Sequence, residues 1–448
     1  MDNLTRQIAE YAATLTYDEL PTKVVRAAIQ RVVDALACAI GGYGCEPATI
    51  GRRLAGAEPD RYRSRMLGIP ERTTGESAAF VNTCLIRNLD FNDTWPGGHP
   101  SDSLGALLAL AEAIGADGKR LLTSQVIAYE LFVRFCNSAQ LRERGWDQGF
   151  MIGIASVAAL GHLMRLPVET IAEALSITCV ANVPLRATRA GSLSLWKGAA
   201  TAYAARNAVF GTLLAVEGMT GPDKPFEGRH GFWEQVTGPF ELAPFGARGG
   251  DFATPNVRLK YWPVEYNTQA AVWTARAVRE KIPLAELKEV EIATYWSAWH
   301  ETGSEPEKWD PRTRETADHS MPYVFARTLV DGGITLAAFE PAAYLDPGLR
   351  PLMAKIKVRQ DDAVESAWPK SIVMRAEATT TSGEHYSFEV VNPLGHEANP
   401  MKDEDTDAKL HAVADPVFGP DRAATVLAHW HSLPDLADLT PALDLLQP

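Results

Sequence analysis

Paired cysteines, an excess of positive charge and long apolar runs are all missing from this sequence, and each absence excludes something. The five cysteines, Cys38, Cys45, Cys84, Cys136 and Cys179, are scattered and form no C-x-x-C pair. Zinc-ribbon and iron–sulfur spacings are therefore excluded, and an odd, dispersed set reads as reduced thiols in a cytoplasmic setting. Acidic residues outnumber basic ones, 56 to 43, for a formal net charge of −13. A nucleic-acid binder needs a basic face, so no nucleic-acid partner is expected. A small anionic substrate stays compatible, because a local group of Arg and Lys can reverse the field inside a cleft. No run of about 18 apolar residues predicts a membrane span. The start, MDNLTRQIAEYAATL, carries acidic residues and no apolar core segment, so no secretory signal is expected. The P-loop, G-x-S-x-G and H-E-x-x-H patterns are missing too. The glycines of GARGGD (246–251) follow no strand and read as a loop.

What is present is helix, for about the first 270 residues. At 448 residues the chain is long for one core, and domains of ~100–200 residues make two the expectation. Residues 23–41 carry an apolar stripe through Val24, Ala28, Val32, Leu36 and Ile40 and stop at Gly41-Gly42. A helix over 101–115 is predicted to start at a capping Ser101, with Leu104, Leu107, Leu108 and Ala111 on one face. Apolar helices over 151–164 and 168–180 are split at Pro167. Past Pro263 the texture changes. KEVEIATYW (288–296) and MAKIKV (353–358) alternate, IVMRAEATTTSGEHYSFEVV (372–391) reads as two strands around Ser382-Gly383, and a helix is predicted from Ser320 to Asp331. Helical texture returns after NPLGHEANPM (392–401). The expected fold class is α plus α+β: a large all-helical domain from both chain ends (1–269 and 396–448) with a smaller α/β lid domain inserted at 270–395.

Four stretches can carry chemistry. In RNLDFNDTWPGGHPSDS (87–103), Asp90, Asp93 and Thr94 are spaced i, i+3, i+4 and share a face if the preceding helix runs through them; Gly97-Gly98 then breaks the chain before His99. This is either a proton-transfer group beside a substrate or a capped turn. In ATRAGSLSLWKGAATAYAARNAVF (187–210), Ser194 is a plausible N-cap and Lys197 falls in the first turn, where a cation opposes the helix dipole by typically ~0.3–1 kcal/mol. Free N–H groups with an ammonium make a carboxylate pocket; the alternative is a lysine reaching solvent. In VRLKYWPVEYNTQAAV (257–272), Lys260 and Glu265 flank Trp262-Pro263 at the apparent domain boundary, a preferred position for ligands and also an ordinary one for a linker. In PRTRETADHSMPYVFAR (311–327), Arg312, Arg314 and His319 precede a helix that Asp318 or Ser320 can cap. The shared theme is basic groups at helix starts with carboxylates and a histidine. That pattern suits a small polyanion and proton transfer, with no metal expected.

Several of these stretches together resemble the MmgE/PrpD superfamily of 2-methylcitrate dehydratases, cis-aconitate decarboxylases and iminodisuccinate epimerases. The resemblance rests on RNLDFNDTW with GGHPSDSLG, RGWDQG (144–149), LSLWKGAATAYAARNAVFGTLLAVEGMTGPDKPFEG (193–228), LKYWPVEYNTQAAV, ETADHSMPY and NPLGHEANPM, in that order and nearly end to end. It implies the two-domain fold above, a homodimer, and a cofactor-free site between the domains acting next to substrate carboxylates. It carries catalytic roles to Asp90, His99 and Lys197, with Thr94 orienting substrate and Lys260 clamping a carboxylate. Asp93, Gln148, Glu265, Asn267 and His319 join as substrate-binding candidates. Two positions depart from the pattern: dehydratase-like members often show histidine where Gln148 and Asn267 stand. At Glu265 dehydratase-like members tend to show glutamate and decarboxylase-like members place a histidine nearby. Gln and Asn can hydrogen-bond but cannot act as bases near neutral pH. The leading expectation is a hydro-lyase on a branched tricarboxylate such as 2-methylcitrate. The alternatives are a decarboxylase, isomerase or epimerase of a related polycarboxylate, and a catalytically silent relative that binds a metabolite or partner protein.

Overall fold

The computed structural model describes residues 1–46, 48, 49, 52, 62–191 and 193–447. The chain divides into two compact units. The first comprises 1–188, 195–257 and 402–448; the second comprises Arg189–Ser194 and 258–401, against an expected inserted segment of 270–395.

The first unit is helical. Its N-terminal part runs α1 (Asn3–Thr14), α2 (Thr22–Gly41), α3 (Gly75–Asn88), α4 (Leu104–Ala113), α5 (Gly118–Ala139), α6 (Gly149–Leu163), α7 (Val168–Ala181) and α8 (Trp196–Val216). The predicted stripe of α2 is buried at Val24, Ala28, Val32, Leu36 and Ile40, and the helix ends at the glycine pair. α4 and α6 are apolar all round, and every residue of α4 from Leu104 to Ala111 is buried. Helices without a polar face must sit inside, and α3, α5, α7 and α8 pack around these two. The C-terminal helix Asp403–Phe418 returns to pack on α2. There Lys409 forms a buried ion pair with Asp34 and donates to the Phe91 carbonyl at 2.6 Å.

The second unit carries a four-stranded mixed sheet: β1 (Leu287–Thr294), β2 (Ile356–Gln360), β3 (Val373–Thr380) and β4 (His385–Val391), in the order β2-β1-β3-β4. β1 and β2 run parallel, so their connection must cross over, and it contains the helix Met321–Asp331. β3 and β4 form the expected hairpin, with Gly383 at φ +89 in the turn. The helices Gln269–Lys281 and Met321–Asp331 pack on each other and on the sheet, enclosing a core that includes Val290, Ile292, Val324, Phe325, Met374 and Ala376. Ser320 caps its helix as predicted, accepting from the Tyr323 N–H at 3.1 Å. Among the described residues, no helix is long and apolar enough to cross a membrane.

Candidate active site

α3 stops at Asn88, and Asp90 takes a left-handed conformation, φ +49. The helix therefore does not continue through Asp90, Asp93 and Thr94, and the shared face expected from their spacing is not formed. Side-chain hydrogen bonds, one local and others across the loop, are made where the helix stops. Arg87, in the last turn, reaches forward to Asp90 Oδ1 at 2.6 Å. Asn92 donates to the Ser101 hydroxyl at 2.8 Å and to Asp102 Oδ1 at 2.9 Å. A left-handed non-glycine residue is costly and persists only where its surroundings over-determine it.

The two aspartates consequently face different surroundings. Asp90 is a buried hub: besides Arg87, Lys197 Nζ lies 3.2 Å from its Oδ2, and His99 Nε2 lies 3.7 Å from its Oδ1. Asp93 is fully buried, its Oδ1 accepting from the Ser101 N–H at 3.2 Å and hydroxyl at 2.6 Å, its Oδ2 from the Tyr129 hydroxyl at 2.5 Å. Both oxygens are taken by protein donors, which speaks against the substrate contact expected for Asp93. Burial pushes its carboxyl up to about 6, and the Ser101 and Tyr129 hydrogen bonds offset part of that rise. Ser101 is thus spent on Asp93 and does not cap α4. Residues Pro100–Ser103 form a short 3₁₀ turn before that helix begins at Leu104.

His99 is held at two points. Its backbone N–H donates to Gln148 Oε1 at 2.9 Å, and its ring Nδ1 lies 2.6 Å from the Asp93 carbonyl. A carbonyl only accepts, so Nδ1 carries the hydrogen, and in the neutral ring Nε2 carries the lone pair. Gly98 makes the first contact possible: a Cβ there would stand 1.5 Å from Gln148 Oε1. The preceding turn is closed by reciprocal backbone bonds between Trp95 and Gly98, 2.8 and 2.9 Å, and Thr94 donates its hydroxyl to the Gly98 carbonyl at 3.3 Å.

Lys197 lies in the first turn of α8, as predicted. The helix begins at Trp196 with Leu195 at the cap position, so Ser194 does not cap it. The lysine does not reach for solvent; it is buried against Asp90. The unfavourable placement of a cation at a helix N-terminus is offset by this carboxylate, which the helix dipole also favours.

The remaining predicted residues belong to the second unit. Lys260 is fully buried. Glu265 accepts from the Asn267 backbone N–H at 2.7 Å and side-chain amide at 3.0 Å, while Asn267 Oδ1 accepts from the Tyr295 hydroxyl at 2.5 Å. The Glu265 N–H donates to the Asp318 carbonyl at 3.1 Å, and His319 Nδ1 pairs with the Asp318 carboxylate. Glu265, Asn267 and His319 are therefore brought into one neighbourhood of that unit. Sequence reasoning singled out neither Arg87 nor Tyr129. Arg87 had a signal, its i, i+3 spacing to Asp90; Tyr129, mid-helix in α5, had none.

Two family models cover this chain: the MmgE/PrpD N-terminal domain over residues 6–244 and the MmgE/PrpD C-terminal domain over residues 262–431. The chain belongs to the MmgE/PrpD family. Among MmgE/PrpD relatives, the 2-methylcitrate dehydratase of Cupriavidus necator is 30% identical over 348 residues, spanning 71% of this chain and 70% of the relative. The 2-methylcitrate dehydratase of Escherichia coli K12 is 28% identical over 349 residues, 71% of each chain. The human cis-aconitate decarboxylase is 23% identical over 470 aligned residues, covering 100% of this chain and 95% of the relative. The similarity thus extends to relatives of both names.

Proposed function

We propose that this MmgE/PrpD protein is a cofactor-independent hydro-lyase that dehydrates a branched tricarboxylate such as 2-methylcitrate to 2-methyl-cis-aconitate. The observation that carries the reading is the buried group in which Asp90 meets Arg87, Lys197 and His99, with His99 Nδ1 turned to the Asp93 carbonyl and Nε2 toward Asp90. Dehydration needs a base for the proton α to a carboxylate, an acid for the departing hydroxyl, and positive charge beside the developing enolate. His99 Nε2 takes the proton, with Asp90 stabilising the imidazolium that results. The electron pair of the broken C–H bond becomes the new C=C bond. The hydroxyl leaves as water with a proton from the Lys197 ammonium. Thr94 orients the substrate. Lys260, Glu265, Asn267 and His319 are candidate substrate-binding groups on the strength of the family motifs. A homodimer is proposed on the same basis. It is supported by an apolar stripe on α8, where Trp196, Tyr203 and Phe210 recur every seventh residue and each is about half exposed.

The test is Lys197→Ala assayed with 2-methylcitrate by ultraviolet absorbance of the unsaturated product. Turnover should fall by ~10²–10⁴-fold, the range for loss of a general acid, with the circular dichroism spectrum unchanged. Activity within tenfold of wild type would sink the assignment. A second reading, decarboxylation or isomerisation of a related polycarboxylate, is favoured by Gln148 and Asn267 standing where dehydratase-like relatives often carry histidine. Product masses from cis-aconitate decide between the two.

A further inference from the structure

We propose that Asp93 and Tyr129 are positioning residues that hold His99 in its Nδ1–H tautomer, so that Nε2 is the nitrogen presented for proton transfer. The inference deepens the reading of His99 as the base and rests on it.

The imidazole is oriented by a backbone carbonyl, and that carbonyl belongs to a stretch without regular structure. The chain leaves α3 at Asn88 and does not re-enter a helix until the 3₁₀ turn at Pro100. Among the described residues, no backbone N–H donates to the Asp93 carbonyl, and no helix or sheet ladder fixes it. The bonds of Asn92, Thr94 and Trp95 hold the loop on either side, and the Asp93 side chain anchors this residue itself through three hydrogen bonds. Two come from Ser101, which closes the loop locally across eight residues. The third comes from Tyr129, fully buried in the middle of the 22-residue helix α5. The path from rigid scaffold to the imidazole therefore runs from α5 to the Tyr129 hydroxyl, to the Asp93 carboxyl, through the Asp93 backbone to its carbonyl, and on to His99 Nδ1, across the ring from Nε2. Gln148, at the start of α6, ties the His99 backbone from a second helix. With backbone and ring each tied, the tautomer is set before substrate arrives, which is how supporting groups raise the effectiveness of a catalytic base.

The same hydrogen bonds say which substitutions should break the arrangement and which should spare it. Asp93→Ala removes the anchor. Tyr129→Phe leaves Asp93 Oδ2 buried without its donor. Asp93→Asn keeps an oxygen for both Ser101 bonds and offers its amide to the Tyr129 oxygen.

The experiment reads the His99 ring directly, by heteronuclear NMR of histidine-labelled full-length protein without substrate; the His99 signal is assigned by its loss in His99→Asn. Wild type and Asp93→Asn should show a proton on Nδ1 and none on Nε2 above the titration of the ring. Asp93→Ala and Tyr129→Phe should shift toward the Nε2–H form. In kinetics with 2-methylcitrate, those two should lose about tenfold or more in kcat with KM within about threefold, and Asp93→Asn should stay within about threefold of wild type. Should Asp93→Ala fail to fold, Tyr129→Phe carries the test. An unaltered His99 signature in Tyr129→Phe, or an Nε2–H form in wild type, overturns the inference. If the signature shifts as expected while wild type turns over no polycarboxylate, the positioning role stands and the dehydratase reading falls.

Discussion

Asp93 offers a quantitative check that needs no substrate. Burial holds its carboxyl at about 6 in the folded protein, against an ordinary value of 3.8. A carboxyl raised on folding binds a proton in the native state that the unfolded chain has already released. Its linkage contribution therefore favours the native state least at high pH: stability falls as pH climbs from about 4 through about 6, then levels off. With these two values the cost of ionising Asp93 is about 1 kcal/mol at pH 4.5 and about 3 kcal/mol at pH 7.5. Asp93→Asn has no such titration, can keep both Ser101 hydrogen bonds on its oxygen, and can donate its amide to the Tyr129 oxygen. The stability difference between Asp93→Asn and wild type should thus move in favour of the variant by about 2 kcal/mol between pH 4.5 and 7.5. Other titrating groups are common to both proteins and largely cancel in the comparison. The measurement is urea unfolding at a series of pH values. Curves that stay parallel to within about 0.5 kcal/mol would refute the claim that burial dominates the environment of Asp93.

Two further outcomes follow from the geometry. Gly98→Ala places a methyl 1.5 Å from Gln148 Oε1, so the glutamine must move and the His99 N–H loses its acceptor. A stability loss of about 1–3 kcal/mol is expected from overpacking, together with reduced turnover, and Gln148→Ala in the same chain should recover part of the stability. Placing glutamate on the exposed stripe, Tyr203→Glu with Phe210→Glu, should halve the mass measured by light scattering while leaving the helical content unchanged. An unchanged mass would remove the stripe from the proposed dimer.

Some of this architecture was legible in the residues because local rules decide it. The stripe and glycine stop of α2, the break at Pro167, the hairpin around Ser382-Gly383 and the Ser320 cap each follow from periodicity or turn chemistry over a few residues. Lys197 could be placed in the first turn of a helix for the same reason. Local rules failed in the loop that matters most. Spacing would have put Asp90, Asp93 and Thr94 on one helical face had the preceding helix run through them, and made Ser101 a cap, yet the helix ends before them and Ser101 serves Asp93.

The sequence by itself determined which chemistry was available: an acidic chain with two aspartates, a histidine and a first-turn lysine in motifs of the MmgE/PrpD family. Only the tertiary structure decided how those groups divide their work. Asp90 and Asp93 are three residues apart and of one type. Arg87, Lys197 and His99 surround the first, while Tyr129 and Ser101 enclose the second. Lys197 and Tyr129 come from distant helices that spacing within the loop cannot reveal. Those partners, and not the residue type or its spacing, give the two carboxylates their different surroundings.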